Sequence, residues 1–211
     1  MLVANENTGC RTGARAITGA GAVWNALKVS AGSTVAVFGA GAVGLSAIMA
    51  AVAVGADRII VSDIHSSRLD LALHLGATDV LDASDGAGAE QVRELTGGMG
   101  VDFSVESSGV PDVMTQAVES LAPLGSAVIL GIPPNGAELR TNAFALLEGR
   151  TVTGCIVGHQ APAVLVQRVL RLYDKGHFPV EAMIRTYALD DIDKAADDAR
   201  SGAAVKPVLL H

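Results

Sequence analysis

Thr34-Val35-Ala36-Val37-Phe38 is a short apolar run rich in β-formers, Gly39-Ala40-Gly41 follows directly, and Ala42-Val43-Gly44-Leu45 opens an apolar stretch of helical length. Strand, tight glycine turn and helix in that order make the first half of a βαβ unit. The surrounding segment, Gly32 to Ala56, carries no charge and is long enough to cross a bilayer. Its period changes part-way from extended to helical, with glycines at the change. A buried strand, a turn and a buried helix therefore account for it better than a membrane span. The first residues, Met1-Leu2-Val3-Ala4-Asn5-Glu6-Asn7, have neither the basic flank nor the apolar core of a signal peptide.

Outward from this unit, β-branched runs keep alternating with amphipathic stretches. Strands are expected at 34–38, 58–62, 79–81, 102–105, 126–130 and 151–153, and helices at 42–55, 65–75, 87–97 and 111–121. Regular β-α alternation of this length implies a doubly wound parallel sheet, the Rossmann fold of the α/β class, with right-handed crossovers and helices on both faces. Further on, a helix is expected at 162–175, a strand at 184–188, a helix at 190–200 with Asp190 as its N-cap and Gly202 as its stop, and a strand at 206–210. Thr18 to Lys28 reads as one more helix, carrying the only tryptophan, Trp24. These flanking pieces have no evident sheet of their own to complete.

Composition narrows the function. Of 211 residues 50% are hydrophobic but 3% aromatic, with 24 glycines, so the core must come from small aliphatic side chains packed closely. Fifteen basic against 22 acidic residues give a net charge of −7 without blocks of one sign, which disfavours a nucleic-acid binder, since that affinity comes from clustered Lys and Arg. Two cysteines, Cys10 and Cys155, cannot form a disulfide framework or by themselves close a zinc site. A cytoplasmic location is expected.

In Gly39-Ala40-Gly41-Ala42-Val43-Gly44 the first glycine suits a tight turn, the second the close approach of a pyrophosphate, and the third helix-on-strand packing. The N–H groups and positive dipole end of the helix then face the phosphates. Asp63 ends the next strand, 19 residues after Gly44. An acid there accepts hydrogen bonds from the adenosine ribose and repels a 2′-phosphate, which makes NAD the expected cofactor over NADP. Arg68, one helical turn on, either touches the ribose or is a surface charge, and leaves some room for NADP. Leu130-Gly131-Ile132-Pro133-Pro134 ends the fifth strand and Gly109 follows the fourth; each either meets the nicotinamide end of the cofactor or simply stops its strand.

The sequence resembles the zinc-type alcohol dehydrogenases of the medium-chain dehydrogenase/reductase family, most of all the benzyl- or aryl-alcohol branch. The resemblance runs in order through Thr18-Gly-Ala-Gly-Ala22, Ser33 to Ser46, Val61-Ser-Asp-Ile64, Leu75-Gly-Ala-Thr78, Gly100 to Glu106, Leu130 to Pro134, Glu148-Gly-Arg150 and Val205-Lys-Pro-Val-Leu209. It implies that Thr18 and Val43 press on the nicotinamide, that Ile132 and Val157 line its face, and that Lys206 approaches the pyrophosphate. A cation near the chain end also suits phosphate charge on its own account. The implied organisation is 1–30 as remnant of a catalytic domain and connecting helix, 31–155 as the NAD-binding core, and 156–211 as the final helix and a segment returning to the catalytic domain.

The departures are equally specific. The family carries an N-terminal β-rich domain, absent from this sequence, that supplies two catalytic zinc ligands, the proton relay and a four-cysteine structural zinc site. Its third catalytic ligand is a cysteine four residues before the Thr-Gly pair, where this chain has Ala14. Cys10, another four residues upstream, is either a displaced ligand or a free thiol. His65, His74, His159, His177 and His211 are dispersed. No catalytic residue and no zinc are expected in this chain, although zinc activates the alcohol in the resembled family. The expected activity of the intact enzyme is hydride transfer between a primary alcohol, with aromatic ones among the candidates, and NAD, with the chain alone binding NAD but inactive. A noncatalytic NAD-sensing module and a zinc-independent NAD(P)H reductase are the alternatives. The weakly charged strand region 126–130 and the following 139–153 predict a homodimer through the sheet edge.

Overall fold

The computed structural model describes residues 2–4, 13–86 and 88–210. In chain order its strands and α-helices are β1 (Leu2–Ala4), α1 (Ala14–Gly21), β2 (Thr34–Phe38), α2 (Ala42–Ala53), β3 (Arg58–Asp63), α3 (Ser66–His74), β4 (Asp79–Asp82), α4 (Ala89–Leu95), β5 (Val101–Glu106), α5 (Pro111–Glu119), β6 (Leu121–Ile129), α6 (Ala143–Leu147), β7 (Thr151–Gly154), α7 (Pro162–Asp174), β8 (Ile184–Ala188), α8 (Ile192–Arg200) and β9 (Lys206–Leu210). Six strands form one parallel sheet in the order β4-β3-β2-β5-β6-β7, with Thr34 opposite Arg58 on one side of β2 and Val35 opposite Phe103 on the other. This is the doubly wound order expected from the β-α alternation.

Successive side chains of a strand point to opposite faces, and both faces here are covered. Val35, Val37, Ile59, Val61, Val105 and Val128 join one apolar cluster with side chains of α2, α3 and α7. Ala36, Phe38, Ile60, Val101 and Ala127 join the other, with Val92 of α4 and Ala117 and Val118 of α5. Helix α2 is buried nearly all round, as a helix lacking a polar face must be. It lies between the sheet and α1, and the contact is close: a Cβ on Gly19 would overlap the Val43 carbonyl. The uncharged 32–56 segment is thus a core strand and core helix, and among the described residues no helix is long and apolar enough to cross a membrane.

Several expectations need correction. The helix read at 18–28 begins at Ala14, after Gly13 in extended conformation, and passes into a π-helical turn at Ala22–Ala26. That turn carries Trp24 inward, where its Nε1 donates to the Ala50 carbonyl at 3.3 Å and the Arg168 guanidinium covers its ring at 3.9 Å. Helix α5 stops at Glu119 and β6 begins at Leu121, so the strand starts five residues before the reading at 126. Asp191 rather than Asp190 holds the N-cap position of α8, because a 3-10 turn at Leu189–Asp191 precedes the helix. The flanking pieces do have a sheet: β1, β9 and β8 pair in parallel as a separate three-stranded unit. Finally, β6 lies inside the large sheet and β7 forms its edge, so the 126–130 strand cannot be the one that pairs with a second copy.

Candidate cofactor cleft

Strand β2 has β3 on one side and β5 on the other, so the winding reverses there, the place where doubly wound sheets bind ligands beyond the carboxyl ends of their strands. The glycine loop sits at this point. Gly39 has φ +93°, a left-handed conformation strained for any side chain, and its N–H donates to the Ser62 carbonyl at 2.8 Å. A Cβ on Gly44 would overlap the Gly39 carbonyl, whereas a Cβ on Gly41 would meet nothing within 4 Å. The loop is therefore closed where helix meets strand and open at its middle glycine. Gly41 is the N-cap of α2, whose first turn has no side-chain cap and no acid. Its N–H groups and dipole are disposed toward an anion in that open space.

Asp63 ends β3 and is only 8% exposed. Its Oδ2 accepts from the Ala40 N–H at 2.6 Å and its Oδ1 from the His65 N–H at 2.9 Å. The acid is therefore neither a solvated loop residue nor the N-cap of α3, a position held by His65; it braces the glycine loop. Each carboxylate oxygen has a lone pair left for a ribose hydroxyl. Arg68 places Nη1 3.9 Å from Asp63 Oδ2, while its buried Nε has no hydrogen-bond partner among the described residues.

Three further turns follow the carboxyl ends of β5, β6 and β7. Ser107, just after β5, donates its N–H to the Phe38 carbonyl at 2.9 Å and its Oγ–H to the Gly39 carbonyl at 2.9 Å. The Glu106 carbonyl accepts from the N–H groups of Leu130 and Gly131, and Ile132 beyond them stands 92% exposed. The third turn is Val157-Gly158-His159, with φ values of 53°, 76° and 51°. A β-branched residue in this region is strained and must be held there. Asn25 Nδ2 donates to the Gly158 carbonyl at 2.8 Å, and the His159 N–H donates to the Ile156 carbonyl at 3.4 Å. Burial pushes the Cys155 thiol above its ordinary pKa. A Cβ on Gly158 would come within 2.7 Å of the Ile17 carbonyl, so this turn lies against α1 next to Thr18.

Gly39, Gly41, Val43, Gly44, Asp63 and Arg68 are thus gathered at one place, with Thr18 joined to Val43 through Gly19 and Val157 set against α1. Ile132 is linked to the loop through Glu106 and Ser107. Lys206 is the buried first residue of β9, opposite Ile184 in the smaller sheet. The chain just before β9 reaches the carboxyl end of β3, because a Cβ on Gly202 would stand 2.9 Å from the His65 ring. Asn25, Glu106 and Ser107 carry no signal in the sequence that marks them as site residues. Among the described residues no three or more His, Cys, Asp or Glu side chains converge as a metal ion requires; Cys10 and His211 lie outside the described residues.

A model described as zinc-binding dehydrogenase matches residues 42–174, from the glycine loop to the end of α7. The chain belongs to the zinc-binding dehydrogenases. The geraniol dehydrogenase of Castellaniella defragrans is 36% identical over 195 residues, which is 92% of this chain and 52% of that protein. The class-3 alcohol dehydrogenase of Myxine glutinosa is 37% identical over 204 residues, 95% of this chain and 54% of that protein. The crystal structure of benzyl alcohol dehydrogenase from Acinetobacter calcoaceticus superposes with a TM-score of 0.91 at 37% identity, covering all of this chain (100%) and 59% of that one. An alcohol dehydrogenase zinc-binding domain protein from Burkholderia ambifaria gives 0.88 at 42% identity, covering 92% and 52%. The chain therefore spans about half the length of the curated relatives it matches.

Proposed function

We propose that this chain is the NAD-binding half of an alcohol dehydrogenase, acting on primary alcohols, aromatic ones among the candidates, when combined with the remainder of such an enzyme. The observation that carries the reading is the pairing of an open Gly41 with a buried Asp63 whose carboxylate holds the same loop. The pyrophosphate would lie over Gly41 at the start of α2, with Lys206 contributing positive charge. The adenosine ribose would meet Asp63 and Arg68. Exposed apolar Ile64, just after β3, and Val110, the N-cap of α5, offer faces for the adenine. Thr18, Val43, Ile132 and Val157 would enclose the nicotinamide, which when bound supplies the carbon that accepts hydride. The described residues do not fit a zinc ion. The isolated chain binds NAD and turns over little.

If Asp63 holds the ribose, NAD binds at least about tenfold more tightly than NADP, roughly 1.4 kcal/mol, and Asp63→Ser erodes the difference. Calorimetric titration of both chains with both cofactors tests this; equal affinities of the unaltered chain would refute the assignment. The assembly belongs to the same reading: a homodimer formed through the edge strand β7, with exposed Phe144 and Leu147 shortly before it in the chain and exposed Ile156 shortly after it.

A further inference from the structure

We infer that Glu106 is a positioning residue for the cofactor, setting the separation between the phosphate-facing glycine loop and the turn that carries Ile132. This role rests on the cofactor reading above. Glu106 is the last residue of β5 and is 0% exposed. Its Oε1 accepts three hydrogen bonds from the turn that follows: Ser108 N–H at 2.6 Å, Ser108 Oγ–H at 2.5 Å and Gly109 N–H at 2.9 Å. Its Oε2 accepts none among the described residues. An apolar residue here would leave the buried Gly109 N–H without its acceptor, which is costly, and would release the exposed Ser108 to solvent.

What lies around this carboxylate gives it a role beyond satisfying a turn. The turn it holds is the one whose Ser107 donates to the Gly39 carbonyl, so one side of it is fastened to the glycine loop. On the other side, the Glu106 carbonyl accepts from Leu130 at 2.8 Å and Gly131 at 3.2 Å. Gly109 and Gly131 touch backbone to backbone: a Cβ on Gly131 would overlap the Gly109 N–H and stand 2.7 Å from Glu106 Oε2, and a Cβ on Gly109 would stand 2.7 Å from the Ile132 carbonyl. The unpartnered oxygen is therefore the floor on which Gly131 rests. One side chain fixes the turn bound to the phosphate end of the cleft and limits the height of the turn at the nicotinamide end.

Glu106→Gln separates this role from simple support of the fold. Its carbonyl oxygen can keep all three accepted bonds, while its amide nitrogen takes the place of Oε2 and brings two N–H donors against Gly131 where Oε2 has no partner among the described residues, which presses on that turn. The 211-residue chain and its variants are titrated with NAD and with ADP-ribose, which has the adenosine and pyrophosphate but no nicotinamide, and their melting temperatures are recorded. The expected result for Glu106→Gln is an ADP-ribose affinity within about threefold of the unaltered chain and an NAD affinity about tenfold weaker. Gly131→Ala, which displaces the same turn from above, gives the same divergence, so the test stands even if the first variant fails to fold. Equal changes for the two ligands in the variants that fold, or no change in either, would overturn the role of Glu106 alone. Failure of the unaltered chain to bind either ligand would overturn the cofactor reading itself, and this role with it.

Discussion

Asp63 and the two later glycines of the loop show how single residues divide support from binding. Gly44 has no room for a methyl group, so Gly44→Ala forces α2 away from β2 and is expected to destabilise the chain by about 1–3 kcal/mol in urea unfolding. Gly41 has room. Gly41→Ala gains from a less flexible unfolded chain and loses from a poorer N-cap, so stability should change by less than about 1 kcal/mol. NAD affinity should nonetheless fall at least about tenfold, because the methyl group enters the space assigned to the pyrophosphate. An affinity unchanged in Gly41→Ala would remove the pyrophosphate from that space. The glycines and Asp63 were legible because their signal is local, lying within one βαβ unit. Ser107 and Asn25 were not, since their partners Gly39 and Gly158 are 68 and 133 residues away and nothing in their neighbourhood marks the contact.

At the scale of elements, pairing decides what a substitution does. Val128 lies in the interior strand β6, fully buried, whereas Val152 lies in the edge strand β7. Proline is tolerated in sheets at edges. Val152→Pro is therefore expected to leave the circular dichroism spectrum intact while dissociating the proposed dimer in light scattering, and Val128→Pro to lose the fold. A second element-level device joins β3 to β4: Arg58 donates Nε and Nη2 to Asp79 at 2.9 Å each, and this pairing, before the bond from Thr78, holds the Asp79 carboxyl below its ordinary pKa. A depressed carboxylate contributes stability above its unfolded pKa of about 4 and loses it as pH falls through the lower folded value. The difference in melting temperature between the unaltered chain and Asp79→Asn should accordingly narrow below about pH 4; a constant gap would contradict it. Strands with a clear period were legible from sequence. The π-helical turn was not, because its residues also suit an ordinary helix, and the β1-β9 pairing was not, because it joins opposite ends of the chain.

For the molecule as a whole, the alternation of β and α segments specified the large sheet, since parallel strands with short crossovers admit few arrangements. Which strand closes its edge depends on the 131–150 excursion, which contains only the short helix α6 and gives no periodic signal. The dimer proposed at that edge predicts a molar mass twice that of the chain by light scattering at concentrations of about tens of micromolar, and a monodisperse monomer would exclude it. The cofactor cleft makes no such demand on a second copy, because the glycine loop, Asp63 and the turns after β5 and β6 all belong to one chain and are bonded to one another. The most direct test is therefore calorimetric titration of the 211-residue chain with NAD. Saturable binding of about one NAD per chain is the predicted result, and the absence of saturable heat from a folded chain would contradict the account.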